Sequence, residues 1–141
     1  MTTDVDQRIT VDLSGQVALV TGGGRGLGRA FALGLAKAGA KIAVTARTDT
    51  AVAETVEMIL RSGGHALGVP GDVCAPDAVV EIVKTAESKL GPVDILVNNA
   101  GVMGPVGYDW NVDAGDWWRT FEINVRGAFL CARAVLPGGE A

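Results

Sequence analysis

The residues with the clearest chemical capacity are the glycines of the segment 22–28, which we call the glycine loop. An apolar run at 16–20 precedes the loop, and Phe31 and Leu35 follow it at helical spacing, so it connects a strand to a helix. Such a turn directs backbone N–H groups and the positive end of a helix at an anion, and glycine allows a phosphate to approach closely. The loop therefore predicts a phosphate site, with an ordinary glycine-rich turn as the alternative.

Two common phosphate loops do not fit. Gly23 and Gly28 have the spacing of the P-loop that binds nucleoside triphosphates, but Arg29 and Ala30 follow where lysine and serine or threonine are required. The dinucleotide pattern Gly-X-Gly-X-X-Gly fails because Leu27 occupies its third glycine position. The pattern that fits is Gly22-X-X-X-Gly26-X-Gly28, with three residues between the first two glycines and one between the last two.

Four strand–helix alternations surround this loop and predict an α/β fold with a parallel sheet covered by helices on both faces. The predicted strands are 16–20, 41–45, 66–69 and 93–97, and the predicted helices follow the glycine loop or lie near 49–61, 76–90 and 116–136. Right-handed crossovers in a doubly wound Rossmann sheet give the strand order 3-2-1-4. The glycine loop and Asn98–Gly101 then meet at the switch point, where ligands bind.

Composition narrows the functional classes. The 141 residues carry a net charge of −4 without a basic cluster, which argues against nucleic acid as a partner, and no apolar run reaches membrane-spanning length. The polar start is unlike a secretory signal, so a cytoplasmic location is expected. Cys74, Cys131 and His65, which is expected in a loop, lack metal-ligand spacing, so no metal site is predicted. Residues 1–15 are interpreted as a polar leader and 16–141 as one nucleotide-binding domain.

Four motifs in order resemble the short-chain dehydrogenase/reductase family, from about Leu13 onward. They are Thr21-Gly22-X-X-X-Gly26-X-Gly28, Gly71-Asp72-Val73, Asn98-Asn99-Ala100-Gly101 and Glu122-Ile123-Asn124-Val125-Arg126-Gly127. The resemblance implies oxidoreduction between a small-molecule alcohol and a carbonyl with NAD(P). The residues expected at the cofactor are Thr21, Gly22, Arg25, Gly26, Leu27, Gly28, Arg47, Asp72, Val73, Asn99, Ala100 and Gly101.

The resemblance also implies individual roles. The glycines line the pyrophosphate, Leu27 packs beneath the cofactor, and Asp72 accepts a hydrogen bond from the adenine amine beside Val73. Asn99–Gly101 lie along the riboses, and Asn98 holds neighbouring strands. Asp72 as a helix cap, and both asparagines as partners of strand-end backbone groups, are the alternatives.

The end of the second strand bears on the choice of cofactor. An acid there grips the ribose of NAD, whereas arginine accommodates the 2′-phosphate of NADP. Ala46 stands in place of the acid, Arg47 follows it, and Arg25 is a second guanidinium within the glycine loop. NADP(H) is therefore favoured, with NAD(H) left open; the alternative is that both arginines are solvated.

Asn124 resembles the family asparagine that helps hold a proton relay to the catalytic lysine. The family's serine, tyrosine and lysine have no counterparts: the only tyrosine, Tyr108, has Val112 at the lysine spacing, and no lysine follows Lys89. We expect a chain truncated before that catalytic segment, with an inactive nucleotide-binding or interaction module, or an incomplete gene product, as the alternative. Whether the chain is an enzyme and whether it forms a homo-oligomer stay open. One or two of Trp110, Trp117 and Trp118 are expected in the core.

Overall fold

A four-stranded parallel sheet organises the fold in a computed structural model that describes residues 10–136. Its order, β3-β2-β1-β4, confirms the predicted order. The strands are β1 (Val17–Thr21), β2 (Lys41–Thr45), β3 (His65–Gly68) and β4 (Ile95–Val97). The helices are α1 (Gly26–Lys37), α2 (Asp49–Arg61), α3 (Pro76–Leu90), α4 (Ala114–Phe121) and α5 (Gly127–Val135), with a π-helical segment, Glu122–Arg126, between the last two.

The two central strands are buried on both faces because their side chains alternate between two helical layers. Ala18 and Val20 of β1 belong to a core that contains residues of α1 and α2. Leu19 faces the opposite side, in a core with residues of α3 and half-buried residues of α5. Each fully buried aliphatic side chain of this kind stabilises the fold by about 1.5–3 kcal/mol. The two layers hold the carboxyl ends of the strands in fixed register.

The strand boundaries differ from prediction where polar groups enter the ladder. His65, expected in a loop, is the first residue of β3 and pairs with Lys41 of β2. Thr21 extends β1 by pairing with Thr45. The strand β4 begins at Ile95 rather than at residue 93. Before it, Asp94 replaces a ladder bond with its side chain, since Val17 N donates to Asp94 Oδ2 at 2.9 Å.

The prediction of one helix at 116–136 differs from the structure in two respects. The helix begins at Ala114 because Asp113 caps it, with Oδ1 accepting from Asp116 N at 2.9 Å. It is also interrupted by the π-helical segment Glu122–Arg126, which the apolar spacing did not indicate. The first nine residues of the predicted leader and the last five residues of the predicted domain lie outside the described residues.

The tryptophan prediction is also wrong. Trp110, Trp117 and Trp118 are 78%, 50% and 58% exposed. They belong to α4 and the loop before it, and within residues 10–136 α4 contributes no buried residue to the core. Their apolar character therefore does not report core positions.

Two register-paired threonines give a stability prediction. Thr45 is fully buried, and within the described part of the chain its Oγ1 has no hydrogen-bond partner. An unsatisfied buried hydroxyl costs stability, so Thr45→Val should raise the free energy of unfolding by about 1 kcal/mol. Thr21→Val should lower it by about 1–3 kcal/mol, because the Thr21 hydroxyl is fully bonded. Denaturant unfolding measures both, and a destabilised Thr45→Val variant would contradict the assignment.

Candidate functional site

A cavity of about 500 Å³ opens at the carboxyl edge of the sheet, within the size range of small-molecule sites. It lies where the strand order reverses between β1 and β4, as the doubly wound topology predicts. Its lining residues are Gly22, Gly24, Arg25, Gly26, Ala46, Arg47, Thr48, Ala51, Gly71, Asp72, Val73, Cys74, Asn99, Ala100, Gly101, Val102 and Ile123.

The glycine loop forms one wall of the cavity and requires glycine at specific positions. Gly22 and Gly26 adopt φ values of 62° and 55°, which side-chain-bearing residues rarely adopt. A Cβ on Gly22 would lie 2.9 Å from Ala100 Cα, so the loop after β1 and the loop after β4 touch through backbone. A Cβ on Gly28 would collide with Gly22 O, so glycine lets α1 start directly against the loop.

The same two loops are joined by the hydroxyl of Thr21. Its Oγ1 accepts hydrogen bonds from Asn99 N and Ala100 N, both at 3.0 Å, and donates to Val97 O at 3.3 Å. The side-chain amide of Asn99 donates through Nδ2 to Gly22 O at 3.1 Å. Asn99 therefore satisfies strand-end backbone, as its alternative interpretation held, while it also lines the cavity.

Asn98 has a different partner from the expected one. Its Nδ2 donates to Ala128 O of α5 at 3.3 Å, so the side chain connects the end of β4 to a helix rather than to neighbouring strands. The expectation of a strand-to-strand role is corrected accordingly. The two consecutive asparagines thus point their amides to different layers of the fold.

Two guanidinium groups lie on the cavity wall beside the end of β2. Arg25 comes from the glycine loop, and Arg47 follows Ala46 directly after the strand. Both residues are exposed, and within residues 10–136 neither forms an ion pair. This end of the cavity therefore offers positive charge to an anion.

Asp72 closes the turn after β3 and does not cap α3. Its Oδ1 accepts from Cys74 N at 2.9 Å, whereas the N-cap of α3 is Ala75. Burial, followed by the negative charge of Asp72, raises the pKa of the neighbouring Cys74 thiol. Burial raises the pKa of Cys131 to about 11. Both cysteines are therefore protonated thiols at neutral pH and weak nucleophiles.

Asn124 lies in the π-helical segment and grips the loop after β4. Its Oδ1 accepts from Val102 N at 2.8 Å, and its Nδ2 donates to Val102 O at 2.7 Å. A Cβ on Gly101 would lie 3.1 Å from Asn124 Oδ1, which is a tight approach to the side chain that makes this contact. π-Helical turns are frequent at functional sites, and this one places Ile123 on the cavity wall.

The cavity assembles most of the predicted cofactor residues and omits three. Thr21 is buried beneath it, Leu27 is 70% exposed, and Gly28 packs against Gly22 O; none of these lines the cavity. Three cavity residues have no polar or glycine signature and were not predicted as site residues: Ala51, Val102 and Ile123. Two polar cavity residues beside predicted ones were not predicted either: Thr48 and Cys74.

The described residues restrict other kinds of site. From residue 10 to 136, no helix is long and apolar enough to cross a membrane. The same residues contain no cluster of three or more histidine, cysteine or acidic side chains that could hold a metal ion.

Known proteins resemble this chain along nearly its full length. A family model described as short chain dehydrogenase matches residues 16–139. A short chain dehydrogenase of Pseudocercospora fijiensis is 43% identical over 133 residues, which cover 93% of this chain and 43% of that relative. The chain thus spans about half the length of the curated relatives it matches.

Solved structures agree with the sequence comparison. A short-chain type dehydrogenase/reductase from Mycobacterium marinum superimposes with a TM-score of 0.84 at 39% identity, over 88% of this chain and 50% of that chain. A blue fluorescent protein from a metagenomic library, solved in complex with NADPH, gives 0.81 at 38% identity over 88% and 51%. The chain is therefore similar to these proteins both in sequence and in backbone structure.

The Asn124 contact gives a second prediction. Asn124→Ala removes both hydrogen bonds to Val102 and should lower the free energy of unfolding by about 1–3 kcal/mol. Amide hydrogen exchange at Val102 should accelerate at the same time. Asn111→Ala, on the exposed loop before α4, is the control and should change stability by less than about 0.5 kcal/mol. Unchanged exchange at Val102 would show that Asn124 does not hold this loop.

Proposed function

The chain belongs to the short chain dehydrogenase family, and from this premise we propose that it forms the NADP(H)-binding part of an oxidoreductase that interconverts an alcohol and a carbonyl. The observation that carries the proposal is that one cavity is lined both by glycines of the glycine loop and by the guanidinium-bearing residues Arg25 and Arg47. NADP needs both features, because it presents a pyrophosphate and a further 2′-phosphate, whereas NAD presents the pyrophosphate alone. A cytoplasmic location is part of the same proposal.

The glycine loop suits a pyrophosphate. Arg25, the N-cap of α1, makes no side-chain capping bond, which leaves the N–H groups of the first helical turn for an anion. Gly22, Gly26 and Gly24 add cavity wall without side chains. The bound cofactor would supply or accept the hydride, and this part of the protein would hold and orient it.

The arginine end of the cavity suits a 2′-phosphate. Ala46 offers no carboxylate to a ribose hydroxyl, and Arg47 and Arg25 can donate paired hydrogen bonds to phosphate oxygens. NADP(H) is therefore preferred in this proposal over NAD(H). The NADPH complex of the metagenomic relative is in keeping with it, although that complex belongs to the other protein.

The remaining assignments follow from the cavity wall. Asp72 keeps one carboxylate oxygen outside its turn bond and would accept from the adenine amine, with Val73 beside the ring. Asn99, Ala100 and Gly101 would flank the riboses. Asn124 would act as a positioning residue through Val102.

A second candidate function, nucleotide binding without turnover by these residues alone, is favoured by the surroundings of Tyr108. Tyr108 is 68% exposed, and its ring stacks on Trp110 with centroids 4.8 Å apart. Within the 141 residues no lysine follows Lys89, so no ammonium group stands four residues after this tyrosine. A phenol needs a neighbouring cation to act as a catalytic proton donor and acceptor near neutral pH.

Cofactor preference is directly testable by calorimetry. NADPH should bind at least tenfold more tightly than NADH, because charge-assisted bonds to the 2′-phosphate contribute about 1.5–3 kcal/mol. Arg47→Ala should remove most of that difference and leave the NADH affinity unchanged. Arg61→Ala is the matched control, since this exposed arginine pairs with Glu57 and does not line the cavity. Equal affinities of the wild type for both cofactors would contradict the NADP assignment.

Turnover gives a separate prediction. The purified 141-residue chain should bind NADPH but should not oxidise it with ketones, aldehydes or quinones. Loss of general acid catalysis alone slows such reactions by about 10²–10⁴. NADPH consumption followed by absorbance measures the rate. Turnover that persists through repurification and disappears in Tyr108→Phe would make Tyr108 the proton donor and refute this expectation.

A further inference from the structure

Two carbonyl groups of the glycine loop, those of Gly23 and Gly24, accept hydrogen bonds from Thr55 and Arg29. Neither donor belongs to the four motifs identified in the sequence. The hydroxyl of Thr55, fully buried in α2, donates to Gly23 O at 2.8 Å. The guanidinium of Arg29 in α1 donates through Nη2 to Gly24 O. The two side chains are also joined to each other, because Arg29 Nε donates to Thr55 Oγ1 at 3.0 Å.

Two further contacts fix the network in place. Arg29 Nη2 pairs with Glu54 Oε2 at 3.0 Å, although Glu54 is largely exposed and this ion pair is weak. Gly23 N donates to Thr45 O at 3.1 Å, so β2 holds the preceding peptide, between Gly22 and Gly23, as well. The Nε and Nη2 groups of Arg29 thus donate to partners within the protein. Arg29 also does not line the cavity.

The held carbonyls determine where the next N–H groups point. The described residues contain no cis peptide bond, and in a trans peptide the carbonyl oxygen and the following N–H point in opposite directions. Fixing Gly23 O therefore orients the N–H of Gly24, and fixing Gly24 O orients the N–H of Arg25. Gly24 and Arg25 both line the cavity, whereas Thr55 and Arg29 lie on the opposite side of these peptides.

We propose that Thr55 and Arg29 form a carbonyl clamp that aims the N–H groups of Gly24 and Arg25 at the phosphates of the bound dinucleotide. The clamp rests on the proposed function, since it requires a phosphate ligand in this cavity. Thr55 and Arg29 are positioning residues: they set the peptide orientation without touching the ligand. Glycine at 23 and 24 leaves these peptides free to rotate, so the loop needs side chains from elsewhere to hold one orientation.

The clamp predicts an effect that differs from that of Arg47. Because it acts on the phosphates common to both cofactors, Thr55→Val should weaken NADPH and NADH by the same factor, about tenfold. Thr55→Ser should restore both affinities, since serine keeps the hydroxyl. Thr85→Val is the control, because it removes the hydroxyl of a half-buried threonine in α3 that neither lines the cavity nor contacts the glycine loop. Its affinities should equal those of the wild type.

Calorimetry with NADPH and NADH, and ¹⁵N–¹H spectra of the 141-residue chain, test the proposal. In the wild type, either cofactor should shift the Gly24 and Arg25 amide signals, and in Thr55→Val these shifts should shrink. Arg29→Lys is the second variant if Thr55→Val does not fold. It keeps the charge but cannot bridge Gly24 O and Thr55 together, so it should weaken both cofactors alike.

The outcomes separate the two proposals. If the wild type binds the cofactors and folded Thr55→Val or Arg29→Lys binds them equally well, the clamp is refuted and the cofactor site stands. If the variants lose NADPH affinity alone, Arg29 and Thr55 act on the 2′-phosphate and the clamp is again wrong. If the wild type binds neither cofactor, the proposed function fails and the clamp fails with it.

Discussion

The contact between the loop after β1 and the loop after β4 is the constraint on which the site depends. Gly22 lies so close to Ala100 that a Cβ could not be accommodated, and the Thr21 hydroxyl joins both backbones. The cavity exists because these two loops are held at this distance while their peptide groups remain accessible. The strand β1 lies at the centre of the sheet and pairs in register with β4, so the helical layers on the two faces stabilise the site as well as the core.

Much of this arrangement could be predicted from the sequence, because it follows from periodicity and glycine spacing. Apolar runs and helical spacing predicted the strands and helices, and right-handed crossovers in a doubly wound sheet then gave the strand order. The switch-point rule placed the glycine loop beside Asn98–Gly101, and the structure shows this contact at Asn99. The same reasoning failed where one polar side chain decides the local structure. Asp94 shortens β4 by bonding Val17 N, and the π-helical segment around Asn124 has no apolar signature.

The carbonyl clamp could not be predicted for a related reason. Thr55 falls at a buried position of an amphipathic helix, where the sequence pattern only requires a residue that packs. Its partner is the backbone carbonyl of Gly23, and a backbone group cannot be recognised from the residue type. Arg29 follows the glycine loop directly and would ordinarily be taken for a phosphate ligand. Only the three-dimensional arrangement shows that its guanidinium is turned to Gly24 O and Thr55.

The arrangement separates two tasks that a dinucleotide site must perform. Orientation of the loop is achieved by buried or half-buried groups within the protein, which are Thr21, Thr55 and Arg29. In the proposed function, recognition of the extra negative charge of NADP falls to the exposed guanidinium groups of Arg25 and Arg47. Preorganised donors lose little conformational freedom when the ligand arrives, whereas exposed arginine side chains must be ordered at that moment. The buried network should therefore set the affinity common to both cofactors, and the exposed arginines should set the difference between them.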